Sequence, residues 1–209
     1  MRERDVNTRR TEPQNRKKGV TVERIKSVAL NLFNEWGYRG TTVRDICDEI
    51  GITAPSMYYY FESKESIFVS LMDQAIQELG NTVEETIENS KANVAQDRMK
   101  ELFEAVLQLY REEENKVIFL VKNRFFSEKG LESSVKSRLM EPGRKIGEHM
   151  LLFLTGSQKR RMPKTDPKEI IIAFDGFVTG YLMHLNQGMI QDTPEQAEKS
   201  WELFWKGIA

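Results

Sequence analysis

The chain has 209 residues, of which 39% are hydrophobic and 30% charged, as is ordinary for a globular protein large enough to bury a core. A net charge of −1 excludes a uniformly basic chain, and a single cysteine, Cys47, excludes an internal disulfide. The N-terminus lacks the apolar stretch of a signal peptide or membrane anchor, so we expect a cytoplasmic protein.

The charges are unevenly distributed. Residues 1–70 contain 12 Lys and Arg against 10 Asp and Glu, whereas the remainder contains 19 against 22. Much of the basic excess precedes Gly19, where Arg16, Lys17 and Lys18 are consecutive. We expect residues 1–19 to form a flexible basic arm suited to nucleic acid, although a solvated, disordered tail would have the same composition.

The spacing of apolar residues predicts helices and no strands. A first helix begins at the cap Thr21, carries an apolar stripe over residues 25–36 and ends at Gly37. A short second helix begins at Thr42, which has capping-box spacing to Asp45, and it ends at Gly51.

A tight turn leads to a third helix over residues 54–61, capped by Thr53, and a fourth helix follows the cap Ser63. Two short helices joined by a glycine-containing turn and braced by a longer helix form the helix-turn-helix pattern, here over residues 42–61. The second short helix of this pattern enters the major groove of DNA.

Three consecutive tyrosines lie on the third helix. Successive residues of an α-helix are about 100° apart, so Tyr58, Tyr59 and Tyr60 cannot all face one core. An exposed tyrosine can donate to a phosphate or touch a thymine methyl group, while the alternative is a small core with one exposed ring. Lys64 lies at the start of the next helix, where the helix N-terminus already favours anions.

Long helices are predicted beyond residue 80, at about residues 98–113, 116–126, 131–154, 168–187 and 194–207. Pro142 predicts a kink or break, and residues 156–167 form a basic loop. Thr193, Pro194 and Gln196 supply the last helix with a cap, a first-position proline and a capping-box partner. The apolar run at 170–185 is shorter than the roughly 20 residues that span a bilayer, so we expect a buried helix.

The helix-turn-helix segment resembles the DNA-binding domain of the TetR family of transcriptional regulators. The matching stretches lie in order at residues 29–33 (ALNLF), 37–38 (GY), 41–46 (TTVRDI), 51–53 (GIT) and 57–65 (MYYYFESKE). The resemblance implies an all-α, TetR-like fold with an N-terminal three-helix helix-turn-helix domain over residues 20–79. A larger C-terminal ligand-binding and dimerisation domain would cover residues 80–209.

The resemblance also implies DNA contacts. Thr42 would cap its helix and touch a phosphate, Tyr58, Tyr59 and Lys64 would contact phosphates, and Tyr60 would be either contact or core. Base edges would be read by four residues, which are Thr53, Ala54, Pro55 and Ser56. Many relatives carry a basic residue or glycine at the positions of Ala54 and Pro55, so base reading there would rest on apolar contact with thymine methyl groups.

The last two helices are expected to form a dimer interface, since apolar residues cover much of their surface and two glycines four apart allow close approach. The interface residues predicted on this basis are Gly176, Gly180, Tyr181, Trp201, Phe204, Trp205 and Ile208. TetR relatives dimerise through four helices, two from each subunit, and aromatic residues exposed in a monomer would be a liability. The alternative is that these residues cover the core of their own subunit.

The resemblance places a ligand pocket among the middle helices of the C-terminal domain. Its candidate wall residues are Phe103, Leu107, Tyr110, Phe119, Phe125, Phe126, Met150, Phe174, Asp175 and Phe177. The alternative for the aromatic residues is an ordinary core. Asp175 stands within an apolar run and needs a partner or water. It would meet a cationic ligand or a lysine, or lie at the edge of the dimer interface.

The expected function is that of a repressor that binds a palindromic double-stranded DNA operator as a homodimer and is released by a small hydrophobic inducer. We expect no enzyme, since the motifs of hydrolases, metalloproteases and P-loop proteins are absent from the sequence. We expect no metal, because His149 and His184 lack metal-ligand spacing, and we also expect no cofactor and no membrane partner. The alternative is a TetR-like ligand-binding or interaction protein without operator binding; an activator or a ligand-blind repressor would carry the same sequence features.

Overall fold

A computed structural model describes residues 12–125, 131–156 and 164–208, with only the backbone described at residues 12–21, 125, 132, 134, 135 and 139. The regular elements of these ranges are all α-helices, which confirms the predicted all-α class. They are α1 (Glu12–Gly40), α2 (Val43–Ile50), α3 (Ala54–Tyr60), α4 (Lys64–Asn89), α5 (Ala95–Phe125), α6 (Glu132–Thr155), α7 (Pro167–Asn186) and α8 (Pro194–Ile208).

The chain divides into two compact units between Leu71 and Met72. The division falls inside α4, so residues 72–79 of the predicted DNA-binding domain group with the second unit. Among the described residues, no helix is both long and apolar enough to cross a membrane.

The first unit is built on α1, which begins at Glu12 and not at the predicted cap Thr21. Residues 12–19 are therefore helical where a flexible arm was expected, while residues 1–11 lie outside the described residues. Pro13 suits a first helical turn, and the following Gln, Arg and Lys residues are good helix formers, so Gly19 alone does not stop the helix. The helix is interrupted at Gly37, where φ is 74°.

The core of the first unit joins the inner faces of four helices. α1 packs against α2, and α2 packs against α3. The fully buried apolar side chains of this core are Ile25, Ala29, Ile46, Met57, Ile67 and Phe68. Trp36, placed on the apolar stripe by its spacing, is 50% exposed because it lies beyond the last core residue of α1.

The second unit is a helix bundle in which α5 packs against α6 and α7, and α6 packs against α7. α5 covers both helices predicted at 98–113 and 116–126, with a break at Glu113, where φ is −135° and ψ is 44°. α6 continues through Pro142, at which a kink or break was predicted.

An aromatic cluster lies in the core of the second unit. The ring of Trp201 stacks on that of Phe103 at 5.9 Å, and Tyr181 meets Phe103 edge-on at 5.2 Å. Phe177 and Phe204 stack at 4.5 Å, so α5, α7 and α8 are joined by ring contacts as well as by aliphatic packing.

Candidate functional site

The first turn of α2 is fixed by the capping box that the spacing of Thr42 and Asp45 predicts. Asp45 N–H donates to Thr42 Oγ1 at 3.1 Å, and Asp45 Oδ2 accepts from the backbone N–H of Thr42 at 2.7 Å. The Thr42 hydroxyl also donates to Asp45 Oδ2 at 2.7 Å. These bonds from Thr42 hold the pKa of Asp45 below its usual value. The hydroxyl proton that would serve a phosphate is thus engaged within the cap.

Gly51 makes the turn between α2 and α3. Its φ of 78° and ψ of 38° lie in the left-handed region, which glycine enters without steric cost. Its N–H and that of Ile52 both donate to Cys47 O, at 2.9 and 3.0 Å. The turn therefore closes α2 and starts α3 within three residues.

α3 presents most of its surface to solvent. Thr53 caps it by accepting from Ser56 N–H at 3.4 Å, and Met57 is its buried residue. Tyr58 is 54% exposed and Tyr59 is 70% exposed. The remaining residues of the predicted set on this helix divide into exposed Ala54, Pro55 and Ser56 and half-buried Tyr60.

The exposed side chains of α3 offer hydroxyl groups together with small apolar surfaces. The Ser56 hydroxyl lies 3.0 Å from Thr53 Oγ1, and the ring of Tyr59 meets that of Tyr60 edge-on at 5.1 Å. Hydroxyl donors suit phosphate oxygens and base edges, and apolar carbons suit the thymine methyl group. The exposure of two tyrosines disagrees with the alternative of an aromatic core with one exposed ring.

Lys64, predicted to contact a phosphate, is directed into the protein. Its Nζ donates to Tyr38 O at 2.5 Å and to Thr41 O at 2.7 Å, and it lies 4.0 Å from the centroid of the Tyr38 ring. Two of its three ammonium protons are thereby bound to backbone carbonyls, and the ring face covers part of the third side. Lys64 therefore connects the start of α4 to the last turn of α1 and to Thr41, which follows it.

Thr41 and Tyr38 also hold the helix-turn-helix in place, and neither residue was assigned a role from the sequence. The Thr41 side chain is fully buried, and its hydroxyl donates to Leu32 O at 3.1 Å and Gly37 O at 2.9 Å. The Tyr38 ring lies 5.8 Å from Phe33 and 5.2 Å from Phe68. Thr41 thereby binds the part of the chain after the interruption at Gly37 to the carbonyls of α1 at and before it. The position of Thr41 directly before the cap Thr42 was the one sequence feature that pointed to its role.

The excess of basic over acidic residues lies before residue 19 and not within residues 19–71. Residues 19–71 contain five Lys and Arg against seven Asp and Glu, whereas residues 1–18 contain seven against three. The segment over residues 19–71 therefore carries two more acidic than basic residues, and the basic charge is concentrated before Gly19. Since phosphate binding depends on cationic side chains, residues 1–18 are the candidate source of electrostatic attraction.

The predicted dimer residues fall into two groups. Tyr181, Trp201 and Trp205 are buried within their own subunit, at 4%, 1% and 7% exposure, so the subunit interior accounts for their apolar side chains. Phe204 and Ile208 are half-buried at the edge of that core. Gly176 and Gly180 have open space where a side chain would begin, as expected of an accessible helix face.

A mostly aliphatic cavity of about 320 Å³ lies within the second unit, between α4, α5, α6 and α7. Met150, Phe174 and Asp175 line it, whereas Phe103, Leu107, Tyr110, Phe119 and Phe177 do not. Phe103 and Phe177 belong instead to the aromatic cluster. Phe126 and the side chain of Phe125 lie outside the described residues.

Charged residues at the cavity were mostly missed from the sequence. Arg124 donates to both oxygens of Asp175 at 2.9 Å, and Lys116 donates to Glu78 at 2.8 Å. The partner that Asp175 requires is therefore an arginine on α5. The spacing of 51 residues between Arg124 and Asp175 gave no local signal for this pair. Among the described residues, no group of three or more metal-ligating side chains is present.

Known proteins share both the first unit and the whole fold. The family model for "Bacterial regulatory proteins, tetR family" matches residues 25–71. The Staphylococcus aureus IcaR protein, a negative transcriptional regulator of the biofilm operon icaADBC, is 26% identical over 153 residues, covering 73% of this chain and 78% of IcaR.

Solved structures agree with this likeness. A TetR-like transcriptional regulator from Rhodococcus sp. RHA1 superimposes with a TM-score of 0.70 at 17% identity, over 88% of this chain and 93% of that one. AibR, solved with isovaleryl coenzyme A and operator DNA, gives a TM-score of 0.66 at 17% identity, over 87% of this chain and 94% of AibR. These similarities fix the fold of the chain along most of its length.

Proposed function

The chain belongs to the TetR family of DNA-binding transcriptional regulators, and we propose that it is a repressor that binds a palindromic operator as a homodimer and leaves it when a small molecule binds. The observation that carries the proposal is the exposed face of α3, held at both ends by the Gly51 turn and the start of α4. Tyr58 and Tyr59 on this face, with Ser56, are the residues that would meet DNA. A regulator acting on chromosomal DNA would work in the bacterial cytoplasm.

Repression, and not activation, is favoured by the similarity to IcaR, which is named as a negative regulator. A repressor needs only to occupy DNA, and the described surface supplies a binding helix without further requirement. The similarity to regulators along most of the fold also separates this chain from enzymes.

A homodimer is supported by the outer face of α7 and α8. Ile172 and Leu203 are 65% and 66% exposed, and Gly176 and Gly180 leave room for a neighbouring helix. Exposed apolar side chains beside small residues are typical of surfaces that a partner covers. A homodimer would carry two copies of α3, one for each half of a palindromic site, and such half-sites lie about one helical turn, 34–36 Å, apart on DNA.

Release by a small molecule is supported by the cavity in the second unit, which has the size and apolar character of a ligand site. AibR, of the same fold, has been solved with both a coenzyme A thioester and operator DNA. We propose that a ligand in this cavity favours a subunit arrangement with lower operator affinity.

Selection of binding sites from a random DNA pool tests the proposal, with wild type and Tyr59→Ala run in parallel at one moderate salt concentration. Wild type should enrich a palindrome, and Tyr59→Ala should weaken or lose that enrichment. A folded dimeric wild type that enriches no sequence would contradict operator binding and favour a TetR-like interaction protein. A gel-mobility shift of the enriched site then tests the homodimer, because it distinguishes DNA with one bound subunit from DNA with two.

A further inference from the structure

The charged residues around the cavity of the second unit are arranged in ion pairs. Of the described lining residues, four are charged: Glu78, Lys116, Arg124 and Asp175. Arg124 holds Asp175 through two parallel hydrogen bonds of 2.9 Å, and Lys116 contacts Glu78 at 2.8 Å and Glu113 at 3.2 Å. The two positive and two negative charges of the wall therefore balance.

The rest of the described wall is almost entirely aliphatic. Ile76, Leu79, Val106, Val121 and Ile146 are among the lining residues, and Thr179 is the one uncharged polar side chain in the described lining. Gly143 and Gly147 on α6 widen the space, because a side chain added at either position would meet nothing within 4 Å. The wall thus offers a large apolar surface and one hydroxyl.

A charged ligand would compete with one of these pairs. A carboxylate approaching Arg124 would compete with Asp175, and a cation approaching Asp175 would compete with Arg124. Arg124 and Asp175 are 40% and 38% exposed, so their separation costs little, but the new contact only replaces the old one. Lys116 and Glu78 are 21% and 29% exposed, and separating them would leave a partly desolvated ion without its partner. An uncharged ligand leaves both pairs intact and gains from the apolar wall.

From this balance we infer that the cavity takes an uncharged lipophilic molecule with at most one hydroxyl or carbonyl group. The inference rests on the proposed function of the second unit as a sensor, and it names the chemical class of the inducer. A water molecule takes about 30 Å³ in the liquid, and a methylene group is of similar size, so the cavity has room for roughly ten carbon atoms. The Thr179 hydroxyl is the group that would meet the polar end of the ligand.

Three ten-carbon probes of equal length test the inference: 1-decanol, sodium decanoate and decylamine, titrated calorimetrically into the DNA-free full-length protein at pH 7.5. We expect 1-decanol to bind at least about tenfold more tightly than either charged probe. Equal or tighter binding of decanoate or decylamine would overturn the inference. If the protein selects an operator but binds none of the three probes, the inference is also overturned. If the protein selects no operator, that result contradicts the proposed function and not the inference about the cavity.

Three variants locate the binding site of 1-decanol. Gly147→Leu places a side chain into the open space of the cavity and should abolish 1-decanol binding, while Gly147→Ala, the matched small change, should retain most of it. Asp175→Asn leaves the wall with two positive charges and one negative, and it should narrow the preference for decanol over decanoate. Unchanged decanol affinity in folded Gly147→Leu protein would contradict binding at this site.

Discussion

At the scale of single residues, Lys64 and the basic residues before Gly19 have different roles. Lys64 donates to Tyr38 O and Thr41 O, and so it connects α4 to the end of α1 within the first unit. Arg16, Lys17 and Lys18 are proposed to attract the phosphates of DNA through their positive charge. Only residues that neutralise phosphates change the dependence of DNA affinity on salt.

The salt dependence of operator binding separates these roles. We expect Lys64→Met to weaken binding with an unchanged slope of log affinity against log salt, and to lower the free energy of unfolding by about 1–3 kcal/mol. We expect the combined change of Arg16, Lys17 and Lys18 to alanine to flatten the slope by up to about 0.9 for each charge removed. A slope flattened by about one in Lys64→Met would return Lys64 to direct phosphate contact.

Asp45 makes the α2 cap sensitive to acid. Its folded-state pKa lies below the ordinary value of 3.8 because Thr42 donates two hydrogen bonds to the carboxylate. Its contribution to stability is therefore complete above pH 3.8 and is lost as the pH falls through the lower folded value. Urea unfolding of Asp45→Asn and wild type should differ at pH 7 and converge below pH 3.8. A difference that stays constant with pH would contradict this role.

The local contacts of this region follow from sequence and the distant ones do not. Thr42 with Asp45, and Gly51 after α2, are signals within four residues, and the structure confirms both. The contact of Lys64 with Tyr38 spans 26 residues, and that of Arg124 with Asp175 spans 51. Such pairs depend on how helices pack, which spacing along one helix does not report.

At the scale of helices, the spacing of apolar residues predicts the range of α8 but not the surface against which it packs. The predicted range of 194–207 agrees with α8, since Thr193 accepts from Gln196 N–H at 3.2 Å as a cap. The side chain of Gln196 bonds to Ser200 and not back to Thr193. The apolar stripe of α8 was assigned to a partner, yet Trp201 and Trp205 face the subunit core. A stripe has the same spacing whichever surface it covers.

Replacement of Trp201 tests its place in the core. Trp201 is 1% exposed and contacts Phe103, Phe174 and Phe204. We expect Trp201→Ala to lower the free energy of unfolding by about 3–5 kcal/mol, because it leaves a large cavity. Exposed Glu202→Ala on the same helix should change it by less than about 0.5 kcal/mol. Chemical unfolding of both variants decides, and a small effect of Trp201→Ala would contradict the core assignment.

At the scale of the whole molecule, the dimer is tested on the exposed residues of α7 and α8. We expect Leu203→Glu to convert the dimer into folded monomers, since it places a charge on the proposed interface. Gly176→Glu should act in the same way from α7, whereas Leu152→Glu, at an equally exposed apolar residue of α6, should leave the dimer intact. Sedimentation of wild type and the three variants measures the oligomeric state. If Leu203→Glu and Gly176→Glu remain dimeric, the interface lies elsewhere.

The most direct test of operator binding through α3 is the ratio of affinities for the selected palindrome and for a scrambled duplex, at one salt concentration. Wild type should prefer the palindrome by about a thousandfold or more. Tyr59→Ala should reduce that preference, and Trp36→Ala, which removes an exposed aromatic ring elsewhere in the first unit, should not. Equal affinity of wild type for both duplexes, or equal preference in wild type and Tyr59→Ala, would contradict sequence recognition by α3.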